Sequence, residues 1–187
     1  SYEFTGDIET MVETFQSMLL ALVVALALVY MIMASQFESL IHPFLIMFAV
    51  PLAITGAVFG LLITGESITS VTFMGFIMLV GMVVNNGIVL IDYTNQLRAK
   101  GMECIEALEE AGPNRLRPIL MTTLTTVIGM VPMSLAIGEG TEMQRPMAVA
   151  IIFGLSISTL VTLFFIPVLY SAVESIRLKN VSKKTKK

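Results

Sequence analysis

Five apolar runs, each close to the length needed to cross a bilayer, constrain this chain more than anything else in it. They fall at residues 15–34, 43–64, 68–93, 118–137 and 146–173. A hydrocarbon core about 30 Å thick takes about 20 residues of helix to span. Water is absent there, so each run must satisfy its own backbone as a helix. Charged residues make up only 13% of the chain and hydrophobic ones 56%, whereas soluble domains run near 25% charged. The expected fold class is therefore an all-α membrane protein with five transmembrane helices and the lipid bilayer as its main partner. A short cytoplasmic amphipathic helix is expected in the polar stretch "NQLRAKGMECIEALEEAGPNRLR". Cys104, Ala107 and Leu108 lie on one side of it, and Glu103, Glu106, Glu109 and Glu110 around the other.

Charge placement gives the orientation. Ten of the 11 basic residues lie either between the third and fourth runs or after the fifth; Arg145 is the exception. The positive-inside rule then puts the C-terminus in the cytoplasm and the N-terminus outside. The opening "SYEFTGDIETMVETFQ" is acidic and polar, unlike a signal peptide, and the chain is expected to be cut from something longer. The bundle is read as residues 15–175. The tail at 176–187, "RLKNVSKKTKK", is basic, has no apolar period and is expected to lack ordered structure.

Small residues are expected to mediate helix contacts, because lipid tails give helices no hydrophobic reason to associate. Gly56 and Gly60 are spaced for this in the second run, and Gly154, Ser158 and Thr162 in the fifth. Ala21 and Ala25 are similarly spaced in the first, and Gly81 and Gly129 lie on polar stripes of the third and fourth. Pro51, Pro132 and Pro167 are expected to bend their helices. The 14 methionines share no face, which fits gap filling better than a thioether path for a soft metal ion.

The third run contains "GMVVNNGIVLIDY". Gly81, Asn85, Ile88, Asp92 and Gln96 fall on one helical stripe; Thr122, Thr126 and Gly129 form another in the fourth. Polar groups at membrane depth face protein or a water-filled cavity. Two readings stay open: Asn85, Thr122 and Thr126 line a proton or ion path, or they hydrogen-bond neighbouring helices. An amide cannot change charge, so any titrating carboxylate lies elsewhere; Asp92 is near the cytoplasmic edge, as is Glu174. Arg115 and Arg117 either anchor to headgroups, or Arg115 reaches inward to a carboxylate on the face it shares with Thr122. There is no GxxxxGK[ST] motif. The one histidine, His42, is read as a loop residue without a partner. No enzyme activity, cofactor, resident metal or nucleic-acid partner is expected.

Longer ordered stretches carry a resemblance. "VYMIMASQFESLIHPFLIMFAVPLAITGA", "GFIMLVGMVVNNGIVLIDYTNQLR", "EAGPNRLRPILMTTLTTVIGMVPMSL", "GEGTEMQRPMAVAIIFGLSISTL" and "FFIPVLY" follow one another over nearly the whole chain. Together they closely resemble the C-terminal end of resistance-nodulation-division (RND) permeases of the hydrophobe/amphiphile efflux type. The resemblance implies the last five of twelve spans in the plasma membrane, with residues 1–14 leaving an extracytoplasmic porter region. It implies a homotrimeric, proton-driven exporter of amphiphilic compounds, completed by a missing N-terminal half and working with a membrane-fusion adaptor protein. It carries a proton-relay role onto Asn85, Arg115 and Thr122, facing aspartates that this chain does not contain, and leaves Asn86 to helix packing. Well-studied drug pumps of the family have Lys at the position of Asn85. The Asn-Asn form is similar to a branch found also in Gram-positive bacteria, so an outer-membrane channel is not implied. Alternatives are metal-ion efflux within the same superfamily and a membrane scaffold without transport.

Overall fold

The computed structural model describes the backbone of residues 2–37, 39–138 and 140–185, and side chains within residues 10–172 of those segments. The side chains of Glu3, Asp7, Glu9 and Glu174, and Glu38 and Glu139, fall outside that set, as do the side chains of the basic tail. The described chain is helical, without strands. The order is α1 (Tyr2–Phe37), α2 (Ile41–Met47), α3 (Ala49–Thr64), α4 (Ser70–Ala99), α5 (Cys104–Ser134), a 3-10 turn (Thr141–Gln144) and α6 (Arg145–Thr185). Five stretches are long and apolar enough to cross a membrane, with α2 and α3 counting as one.

Local chemistry sets the breaks. Pro51 has no N–H to donate to the Met47 carbonyl four residues back, and the helix is interrupted there, at Phe48, between α2 and α3. Gly65, at φ 72°, ends α3 in the left-handed conformation that glycine adopts at low cost, and its N–H returns to Leu61 O. Thr69 starts α4 with a reciprocal capping box to Thr72.

Two sequence expectations are corrected. The amphipathic segment is not a separate helix. Its buried side, Ala107 and Ala111, leads straight into the fourth span as α5, through Pro113 and Pro118. The carbonyls those prolines leave unbonded belong to Glu109 and Asn114, which are exposed, so water can take the place of the lost donors. The basic tail also differs from expectation, because α6 continues as helix to Thr185. No Gly or Pro follows Pro167 to stop it, and Lys, Arg, Leu and Glu are good helix formers.

α6 packs against α3, α4 and α5, and its contact with α3 is the most extensive in the bundle. Ile157 lies 2.9 Å from where a Cβ on Gly56 would stand, and Phe153 occupies the corresponding space at Gly60. In return, Gly154 meets Leu79, Ala53 O at 3.0 Å and Ala57 Cβ at 3.1 Å. Gly81 and Gly129 have nothing within 4 Å, so neither is a contact glycine among these helices; both lie on faces that the chain leaves uncovered. Ala21 is exposed too, and α1 docks through Leu22 and Met33 instead. Only 11% of the apolar stretch of α1, and of α5, is buried, against 56% in α4. The outer helices therefore present most of their surface to lipid or to other protein.

The seam yields a stability prediction for the full-length protein. Gly154→Ala should cost about 1–3 kcal/mol, because a Cβ there meets backbone as well as side chain. Gly112→Ala, in open space within α5, should be neutral or stabilising by up to about 1 kcal/mol. Thermal unfolding in detergent measures both; equal effects would mean that the α3–α6 contact does not limit stability.

Candidate functional site

The two polar stripes meet. A cleft of about 170 Å³ between α4, α5 and α6 is lined by Met82, Asn85, Asn86, Thr122, Thr123, Thr126 and Leu155. Asn86 is buried at 7% exposure. Asn85, one residue away and so rotated by about 100°, is exposed on the face of α4 that the chain leaves uncovered, in line with Gly81 and Gln96. Neither amide bonds to another described side chain. Thr122 Oγ1 donates to Ile119 O at 2.9 Å, and Thr126 Oγ1 to Thr122 O at 2.9 Å. Those hydroxyl protons are used within α5, which leaves oxygen lone pairs for the cleft. The cleft therefore offers acceptors from the threonines and both donors and acceptors from the amides.

Thr123 lies off the stripe read from the sequence, yet it makes a side-chain hydrogen bond between α5 and α6, with Thr159 Oγ1 at 3.0 Å. Thr159 donates its own proton to Leu155 O at 2.7 Å, so Thr123 is the donor in that pair. The bond closes the floor of the cleft.

Arg115 and Asp92 lie toward the end of the bundle that carries most of the basic residues. The Asp92 carboxylate accepts from Gln96 Nε2 at 2.8 Å. Arg115 does not reach a carboxylate among the described residues. Its Cζ lies 4.4 Å from the centroid of the Tyr93 ring, and its Nε is buried without a hydrogen-bond acceptor. Arg117 is exposed. At the opposite end, Arg145 Nε lies 3.1 Å from Glu66 Oε1, close enough for an ion pair but without hydrogen-bond alignment.

A family model described as AcrB/AcrD/AcrF matches residues 1–174. The chain belongs to this family of RND permeases. It is 38% identical over 178 residues to the swarming motility protein SwrC of Bacillus subtilis, covering 94% of this chain and 17% of that one. It is 34% identical over 177 residues to the multidrug resistance protein MdtC of Erwinia amylovora, again covering 94% and 17%. Two crystal forms of a heavy metal efflux pump superpose with TM-scores of 0.73 and 0.69 at 35% identity, over 80% of this chain and 15% or 14% of theirs. The chain thus spans about a sixth of the length of the curated relatives it matches, 17% of each.

Sequence reading missed a second polar set in this family member. His42 is not an unpartnered loop residue: it lies in the first turn of α2 and joins α4 and α6. Arg98 Nη1 donates to Tyr170 OH at 2.9 Å, Tyr170 OH donates to Asn95 Oδ1 at 2.7 Å, and Asn95 Nδ2 lies 3.4 Å from His42 Nδ1. An amide nitrogen cannot accept, so His42 Nδ1 is the acceptor in that pair. The His42 ring also packs against Tyr170 and Phe37, at 5.5 and 5.9 Å between centroids. Tyr170 is 2% exposed. Asn95 and Arg98 are a helical turn apart, a cue visible in the sequence, but their partners are more than 50 residues away.

This set clamps three helices at one end of the bundle. Tyr170→Phe removes the donor to Asn95 Oδ1 and the acceptor for Arg98, and should destabilise the full-length protein by about 1–3 kcal/mol. Thermal unfolding in detergent reads the loss. A Phe variant as stable as the parent would mean that the ring, not the hydroxyl, holds this corner.

Proposed function

We propose that this chain supplies the last five membrane spans of a twelve-span, proton-driven exporter of amphiphilic compounds. The observation that carries the reading is the cleft: amides and hydroxyls at membrane depth, lined by α4, α5 and α6 and open on a face that no helix of this chain covers. Such groups are too costly to leave facing lipid. In this reading the uncovered face receives a carboxylate-bearing helix from the rest of the permease. Asn85, Thr122 and Arg115 are then the non-titrating side of a proton relay, with Thr126 lining it and Asn86 packed behind. Asp92, already bonded to Gln96, stands outside the relay. The names of MdtC relatives support a multidrug cargo. The complete protein is proposed to be a homotrimer working with a membrane-fusion adaptor, as a transporter and not an enzyme.

A second reading, metal-ion efflux, is supported by the description of the two solved neighbours. The metal would then be cargo, handled by parts of the protein beyond these five helices.

In the full-length permease, Asn85→Leu should abolish proton-dependent efflux while leaving the protein at near-normal level, because it removes relay hydrogen bonds without burying a charge. Asn86→Ala should mainly lower stability. Ethidium efflux from energised cells measures the effect, with silver-ion efflux as the parallel assay for the second reading. A fully active Asn85→Leu protein would sink the relay assignment.

The proposed orientation has the polar segment around Cys104 in the cytoplasm and the loop carrying Glu142 outside. Impermeant thiol reagents applied to intact cells should then label a lone cysteine at position 142 and spare Cys104. The reverse pattern would invert the topology.

A further inference from the structure

We propose that Tyr93 is a positioning residue, whose ring face holds the Arg115 guanidinium at the mouth of the export relay. The inference rests on the reading of Arg115 as a relay residue. The guanidinium carbon is 4.4 Å from the ring centroid, well inside the roughly 6 Å over which a ring's negative face attracts a cation. The two residues lie on different helices, Tyr93 on α4 and Arg115 on α5, so the contact also fixes these helices relative to each other. Tyr93 follows Asn85 by eight residues on α4, and Arg115 precedes Thr122 by seven on α5. Each is about two turns from a residue lining the cleft.

The state of Nε shows why a ring is there. This N–H is buried without an acceptor, an arrangement that costs stability. Asp92, next to Tyr93 in the chain, does not supply the acceptor; its carboxylate faces Gln96. A carboxylate beside Arg115 would use up the donor in a permanent pair. A ring attracts the charge through its face and leaves the in-plane N–H groups free. Tyr93 thus holds the guanidinium in place while Nε keeps an unused donor, which a carboxylate acceptor reaches when the side chains covering it shift. A lysine ammonium would also be attracted to the ring face, but it lacks the planar fork that directs in-plane donors away from it.

The test uses the full-length permease and ethidium efflux from energised cells. Tyr93→Phe keeps the ring and should retain transport within about twofold. Tyr93→Leu should lower it by about threefold to thirtyfold, the span a contact of this kind supports. Phenylalanines carrying one, two and three ring fluorines at position 93 keep the shape while draining the negative face, and transport should fall in step with fluorine number. That series carries the test if Tyr93→Leu reduces the amount of protein in the membrane. Equal transport across the series, or a Phe variant as impaired as Leu, would overturn the proposal. Arg115→Ala separates the two levels. If that variant is fully active, the relay reading itself fails. If it is inactive while the fluorinated series is flat, only the role of Tyr93 fails.

Discussion

Everything in this bundle depends on how closely the backbones of α3 and α6 approach. Lipid gives apolar helices no reason to prefer one another over acyl chains, so association has to come from packing and from the few polar contacts between helices. The glycines on both sides of this seam remove the side chains that would keep the axes apart. Ile157 and Phe153 of α6 then sit over Gly56 and Gly60, and Gly154 admits Leu79 from α4. With α6 seated on α3, its other sides carry α4 and α5. The cleft and the clamped end both follow from that placement.

Polar groups in the bundle separate into two kinds. Thr123 with Thr159, and Arg98 with Tyr170, Asn95 and His42, are satisfied sets in which donors find acceptors on another helix. A satisfied set inside a low-dielectric bundle gives direction and register to helices that apolar contact alone would let slide. The second kind is open: Asn85, Asn86 and the buried Nε of Arg115 bond to no other described side chain. Open valences are expensive at membrane depth, where the asparagines lie, and also where they are buried, as at Arg115 Nε. Thr162 Oγ1 on α6 and Arg145 Nε are also buried without a hydrogen-bond partner, so it is the meeting of Asn85 and Asn86 with the threonines in one cleft that marks the proposed relay.

The fold class is legible in the sequence because a spanning helix writes itself as about twenty consecutive apolar residues. Helix ends outside the lipid are less legible, since exposed carbonyls can lose a donor to proline without ending the helix. That is why α5 runs through Pro113 and Pro118; a basic segment with no apolar period extends α6 for a different reason, that good helix formers with no Gly or Pro among them need no apolar face to stay helical. The stripe through Asn85 and the one through Thr122 can be read from helical period alone. Their meeting in one cleft cannot, because it depends on how α4 and α5 are rotated against α6. The same limit hides Tyr93 beneath Arg115 and Tyr170 beside Asn95: each residue has an ordinary bland reading, as an aromatic at a membrane interface, until a second helix is placed.

Asparagine at position 85 has a physical consequence for the proposed relay. Where the resembling drug pumps have lysine, a mobile ammonium can follow the charge on a carboxylate and pair with it when it is ionised. An amide carries no charge, so it responds to a carboxylate only through hydrogen bonds, accepting from the protonated form and donating to the ionised one. The electrostatic response then falls to the nearest fixed cation, and among the described relay residues that is Arg115. A guanidinium keeps its charge at any physiological pH, so it can stabilise an ionised carboxylate but cannot exchange a proton with it. In this form of the relay, therefore, all the titration belongs to the carboxylate side. Under this proposal the five spans would contribute a fixed charge about two turns from the cleft and neutral donors and acceptors lining it, with α6 held in place by its close approach to α3.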